Sequence, residues 1–356
     1  MALGSARTTA TGDDRGPVSS SGTATRVADG AAGPPHAAGS AGPAAAPRRK
    51  PPRLRAGDRV RIVSPSSPPS RDHTAAGIEV LTSWGLQVEV GQHVFDQWGF
   101  MAGRDEDRIA DLNDAVRDPG VRAIFATRGG KGAYRIVDDI DTEALRADPK
   151  PIVGFSDTTH MLLLWARTGI TALHGPLINW SSEWCGPASE EALRAALMTT
   201  DDVVLHVDAN EASAAVTVDG TASGVLLGGN LDAVRTEAGA SIPDLHGAIL
   251  FLEHQRGTGI GEVDRALTQL MRTGDLDGVA GIVLGCFVNF EEDLEDETLG
   301  GWRVVDVLRD RLGRLGVPVL GGIPAGHRNH PPTIPLGTHA TIDTRSGTLT
   351  VEAAVC

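Results

Sequence analysis

In Gly154-Phe155-Ser156-Asp157-Thr158-Thr159 an apolar strand, Pro151-Ile152-Val153, runs into a serine that an apolar helix, Thr159 to Trp165, immediately follows. The pattern places the Ser156 hydroxyl at a helix N-terminus. Unpaired backbone N–H groups and the positive end of the helix dipole there stabilise an anion forming on a carbonyl that the hydroxyl attacks. The chemistry suggested is acyl transfer. Thr158 stands where the last glycine of a G-x-S-x-G nucleophile elbow belongs, so a helix-capping serine is the alternative reading.

A serine hydroxyl becomes a useful nucleophile when a base takes its proton, and a histidine held by a carboxylate is the usual solution. Of the eleven histidines, His160 falls one turn into the helix after Ser156 and His174 ends the next apolar strand. Both positions equally suit a core or capping histidine. His327 closes Pro324-Ala325-Gly326-His327 after the strand Val319 to Ile323, at a strand's carboxyl end beside a permissive glycine. It is the expected general base. Glu253 ends the apolar run Ile249 to Leu252, where a carboxylate needs hydrogen bonds or a cation. His327 would supply both; Arg256 or Arg265 is the alternative partner. Arg128-Gly129-Gly130-Lys131-Gly132 lacks the spacing of a P-loop or of a dinucleotide fingerprint. Its turn can deliver a backbone N–H to a carbonyl oxygen opposite Ser156, or be a tight turn and nothing more.

The elements that must position these residues alternate from Asp58 onward: a strand at Val60 to Ser64, a helix from Ser70 to Trp84, a strand at Leu86 to Val90, a helix from Arg104 to Val116, then strands at Val121 to Ala126 and Ile152 to Phe155. Such alternation predicts a parallel sheet covered on both faces. Ligands bind these sheets beyond the carboxyl ends of the strands, where Arg128-Gly129-Gly130 and Ser156 both fall. Residues 187–222 read as a connector and peripheral region. After them apolar strands resume at Gly224 to Leu227, Ala248 to Leu252 and Val279 to Leu284, with helices at Asp232 to Ala238, Glu262 to Thr273 and Trp302 to Leu315. A hairpin of Ala340 to Asp343 and Thr348 to Val351 closes the chain.

Composition bounds the partners. Net charge is −14 over 356 residues. The first 55 hold eight basic against three acidic residues, which leaves −19 on the rest and argues against nucleic acid. Cys185, Cys286 and Cys356 lie far apart without a C-x-x-C pair, which excludes a disulfide framework and fits a reducing cytoplasm. No apolar run is long enough to span a bilayer, and the N-terminus lacks the apolar core of a secretory signal. Residues 1–53, rich in Ala, Gly, Ser, Thr and Pro, are expected to be a disordered tail with a basic end.

Several separate segments together resemble one family, the serine LD-carboxypeptidases, whose relatives include the peptidases that confer immunity to microcin C-type antibiotics. Met101-Ala102-Gly103-Arg104-Asp105-Glu106-Asp107-Arg108, Asp111-Leu112-Asn113, Arg128-Gly129-Gly130, Gly154-Phe155-Ser156-Asp157 and His174-Gly175-Pro176 carry it in the N-terminal half. Leu227-Gly228-Gly229-Asn230-Leu231, Phe251-Leu252-Glu253, Asp264-Arg265-Ala266-Leu267, Pro324-Ala325-Gly326-His327 and Pro335-Leu336-Gly337 carry it in the C-terminal half. The resemblance implies an α/β fold: a flavodoxin/Rossmann-like parallel-sheet N-terminal domain, 54–186, with a smaller mixed α/β C-terminal domain, 223–356, and the site between them. It implies Ser156 as nucleophile, Glu253 as orienting acid and His327 as base, with the amides of Gly130 and Asp157 as oxyanion hole. No metal or organic cofactor is implied.

The implied substrate is a small peptide, a murein tetrapeptide cleaved at its L-to-D bond with release of D-alanine during peptidoglycan recycling; an aminoacyl nucleotide of the microcin type is the alternative. Trp180 or Trp184 would then stack on the base. A non-catalytic binder of peptidoglycan fragments or phosphorylated ligands, using Arg128 and Lys131 as anion contacts, is the reading of another class. A homodimer is left open. Lys131 departs from the family's usual aromatic residue in the glycine turn, which puts a flexible cation beside the substrate pocket.

Overall fold

Residues 48–290 and 297–356 are described by the structure, a computed structural model. The tail expected over 1–53 lies outside the described residues as far as residue 47. From residue 48 the chain is tied to the body: the Arg49 amide donates to the Gly169 carbonyl at 2.8 Å and the Arg53 amide to that of Cys356 at 2.9 Å.

Two sheets organise the remainder. The first orders its strands as Ile334–Leu336, Ala172–His174, Ile152–Gly154, Val121–Ala126, Arg59–Val63 and Gln87–Val90. The last five are mutually parallel. Helices Arg71–Ser83, Asp105–Arg117 and Thr159–Thr168 connect them, so the central strands are covered on both faces and read as near-continuous apolar runs. Ser70 caps the first of these helices by accepting the His73 amide, and Gly169, at φ +80°, ends the third.

The second sheet orders Val319–Leu320, Gly281–Val288, Ile249–Gln255, Thr221–Asn230, His339–Asp343, Thr348–Val351 and Val203–His206. Its first four strands are parallel and the rest antiparallel. Val203–His206 comes from the stretch read as a connector, and so does the helix Pro187–Met198. Leu193, Ala196 and Leu197 bury one face of that helix against the first sheet's core. Pro187 marks its N1 position, where the missing N–H costs nothing.

The strand expected over Val319 to Ile323 is confined to Val319–Leu320. Gly321 and Gly322 interrupt it, the latter at φ +88°. The chain nevertheless keeps alongside Gly281–Val288, with the Ile323 amide donating to Leu284 and the Cys286 amide to Ala325. A few residues on, Ile334–Leu336 crosses to the first sheet and pairs antiparallel with Ala172–His174. The segment bearing His327 is thus pinned to both sheets. The largest buried cluster is shared in the same way, with Ile124, Met161 and Trp165 packed in one core with Leu226, Phe251 and Ile342. Among the described residues no helix is long and apolar enough to cross a membrane.

Candidate active site

Ser156 leaves the strand Ile152–Gly154 with φ +61°, a left-handed conformation that a residue with a side chain adopts at a cost. The helical turn Ser156–Thr158 then leads directly into Thr159–Thr168. This is a sharp elbow without a glycine at position 158. The room comes from Gly154 instead, where an added Cβ would lie 2.7 Å from the Thr158 methyl. Ser156 is not a cap: Phe155 holds that position, and no side chain caps the turn.

The Ser156 hydroxyl lies 3.0 Å from His327 Nε2, and His327 Nδ1 lies 2.6 Å from Glu253 Oε2. With the Nδ1 proton committed to the carboxylate, Nε2 presents a lone pair to the serine proton. The His327 amide also donates to Glu253 Oε2, at 3.2 Å, and Asn230 Nδ2 donates to Oε1 at 3.1 Å. Both carboxylate oxygens are therefore engaged, which is what a fully buried Glu253 requires. Gly326 permits this approach, since a Cβ there would stand 2.6 Å from Glu253 Oε2.

The pair shifts both titrations. Burial alone would raise the Glu253 carboxyl; the His327 charge and hydrogen bond, with His174 and Asn230 adding to them, bring it down to about 2. Burial likewise disfavours the His327 cation, but Glu253 outweighs it and raises the imidazole above its ordinary 6.5. Only the neutral ring can accept the serine proton. Activity that passes through this pair is expected to rise with pH along a limb centred above 6.5, and a pH–rate profile of kcat/KM centred at or below that value would contradict the pairing.

The glycine turn closes on Ser156 from the other side. A Cβ on Gly129 would come within 2.7 Å of the Ser156 Cβ and 3.5 Å of the Asp157 nitrogen, so the turn and the helix start are in van der Waals contact. Gly130 takes φ +108°, which a side chain would resist. Two anchors hold the turn: the Lys131 amide donates to the Ser67 hydroxyl at 3.2 Å, and the Ala133 amide donates to the Asp157 carboxylate at 2.9 Å. Asp157 contributes a carboxylate to the turn and an amide at the start of a helix, where N–H groups lack intrahelical acceptors.

Ser156, His327 and Gly130 open onto a cleft of about 440 Å³ whose walls include Arg128, Asn179, Trp184 and Gln255. The other candidates sort cleanly. His174 is sealed between the rings of Phe155 and Phe251, where burial lowers it to about 4 and keeps it neutral. His160 is hydrogen-bonded to Glu237. Trp180 is buried in the first core, whereas Trp184 is 42% exposed on the cleft wall. Asn230 is the residue that sequence reasoning passed over. It caps the helix Leu231–Glu237 with its carbonyl oxygen and holds Glu253 with its amide, and an Asn directly before an apolar helical run is the signal that announces such a cap.

A strained serine at a strand-to-helix elbow, hydrogen-bonded through histidine to a buried glutamate, on a two-sheet α/β frame, defines the serine-hydrolase class of site. The comparisons narrow the class. Residues 60–175 match the family model of the LD-carboxypeptidase N-terminal domain, and residues 223–342 that of the LD-carboxypeptidase C-terminal domain. A Streptomyces coelicolor protein named as a carboxypeptidase is 38% identical over 315 residues, covering 86% of this chain and 97% of that one. The crystal structure of muramoyltetrapeptide carboxypeptidase from Oxalobacter formigenes is similar with a TM-score of 0.74 at 27% identity, covering 84% of this chain and 100% of the other. The microcin self-immunity protein MccF of Escherichia coli is 25% identical over 82% of this chain and 92% of its own. The chain belongs to the LD-carboxypeptidase family. Its family and relatives together mark a hydrolase of the carboxypeptidase class.

Proposed function

We propose that the protein is a cytoplasmic serine carboxypeptidase that cleaves the L-to-D peptide bond of murein tetrapeptides and releases D-alanine during peptidoglycan recycling. The observation that carries this reading is the unbroken hydrogen-bond chain from Ser156 through His327 to Glu253. His327 Nε2 takes the hydroxyl proton as Ser156 Oγ attacks the carbonyl carbon, and Glu253 balances the imidazolium that forms. The amides of Gly130 and Asp157 receive the oxyanion. His327 then gives its proton to the departing nitrogen, D-alanine leaves, and an ester remains on Ser156. Water, deprotonated by the same imidazole, attacks that ester, and the imidazolium returns the proton to Ser156 Oγ as the bond to the acyl carbon breaks and the tripeptide leaves with its new carboxylate. Neither half calls on a metal or organic cofactor.

Arg128 on the cleft wall suits an exopeptidase, because its guanidinium can meet the terminal carboxylate of the D-residue. The same reading treats 54–186 and 223–356 as the two domains, with the nucleophile on one and its acid and base on the other.

Trp184, exposed on that wall, favours a second reading in which the leaving group is a nucleotide whose base stacks on the indole. Turnover of a murein tetrapeptide and of an aminoacyl sulfamoyl nucleoside, measured on one preparation, separates the two. The first reading predicts kcat/KM higher on the tetrapeptide by at least about 100-fold. A reversed ratio selects the second, and binding of peptidoglycan fragments with no product from either substrate would make the protein a binder instead.

A further inference from the structure

Ser156 borders a second cavity. It measures about 270 Å³ and shares Gly130 and Ser156 with the cleft, but its other walls include Lys131, Tyr134, His160 and Asp232. His327 lines the cleft and is absent from this wall. The departing nitrogen must take its proton from His327 Nε2, so the leaving residue occupies the cleft side. The acyl residue is left the second cavity.

The charges around this cavity are mostly answered from within. Asp232 is bound by Arg235 at 2.7 Å, Glu237 by His160, and Asp157 accepts the Ala133 amide. Lys131 differs. It is exposed, its backbone amide is held by Ser67, and among the described residues no carboxylate lies within ion-pairing distance of its ammonium. The anchored turn fixes where the side chain starts, and its flexible stem leaves the ammonium free to follow a bound anion.

We infer that this cavity receives the side chain of the acyl residue and that Lys131 selects a side chain ending in a carboxylate, as a diamino diacid has and lysine lacks. The inference rests on the serine carboxypeptidase reading. Other acids near the cavity already have partners, so a substrate carboxylate meets an unspent cation, whereas a side chain ending in an ammonium alone meets a like charge.

The test uses two tripeptides, L-alanyl-γ-D-glutamyl-meso-diaminopimelate and its L-lysine counterpart, titrated calorimetrically into Ser156→Ala, with the matching tetrapeptides assayed for D-alanine release by the parent. The diaminopimelate tripeptide is expected to bind about tenfold more tightly. Adding Lys131→Met to Ser156→Ala should bring the ratio to about twofold or less, and Lys131→Glu should reverse it. Equal binding of the two tripeptides, or a preference that Lys131→Glu leaves intact, overturns the inference. The two ideas fail separately: D-alanine released from both tetrapeptides without discrimination sinks the pocket assignment alone. A parent that releases none, while the binding preference and its reversal persist, sinks the carboxypeptidase reading alone.

Discussion

Ser156→Ala is expected to lower kcat by about 10⁶-fold while the protein stays folded and continues to bind its substrate. The substitution removes the oxygen that His327 Nε2 is positioned to deprotonate, at 3.0 Å, and leaves the helix start and glycine turn as they are. Folding should change little, because an alanine at this position carries the same φ +61° strain as the serine it replaces. A thermal melt alongside the rate separates lost chemistry from lost structure. Residual activity reports what substrate binding and the proposed oxyanion amides contribute without the nucleophile.

Glu253→Gln should cost about 10⁴-fold in kcat with little change in KM. The two are nearly isosteric, so the loss is electrical and directional. Oε2 accepts both the His327 amide and its Nδ1 proton, while Oε1 accepts Asn230 Nδ2. A carboxamide can face only one of these sides with oxygen. If oxygen stays with His327, the new NH₂ meets the Asn230 NH₂, and turning Asn230 over would withdraw its oxygen from the Asp232 and Ala233 amides that it caps. If the NH₂ faces His327, the imidazole adopts the wrong tautomer and Nε2 no longer accepts the serine proton. In either orientation the imidazolium formed during attack has no counter-charge. Because the lowered carboxyl and the raised imidazole depend on one another, the rise of activity with pH should also move toward lower pH in this variant. A loss of less than about tenfold would mean that Glu253 does not orient the base.

The parallel sheet is legible in the sequence because its central strands are buried on both faces and spell continuous apolar runs between helices of period 3.6. The candidate site is legible in part for a related reason: Ser156 follows the strand Ile152–Gly154 and Glu253 lies near the carboxyl end of Ile249–Gln255, where such sheets collect their ligands, whereas His327 sits on a loop beyond Val319–Leu320 and is marked by the apolar run and Gly326 before it. Other features resist. The helix Pro187–Met198 reads as a connector because its proline and alanines dilute the apolar signal, and only packing against the first sheet identifies its buried face. No local pattern announces that Ile334–Leu336 crosses to the first sheet, since strand partners are chosen by tertiary contact. The elbow at Ser156 looks defective by its motif, because the space that a glycine normally gives at position 158 is supplied from position 154, four residues earlier.

Free D-alanine released from a murein tetrapeptide by the parent protein and by Ser156→Ala, assayed side by side, decides whether Ser156 is the nucleophile of a carboxypeptidase. D-Alanine and tripeptide are expected in equal amounts from the parent and neither above background from the variant. A parent that releases no D-alanine, or a variant within about tenfold of the parent, would contradict that role.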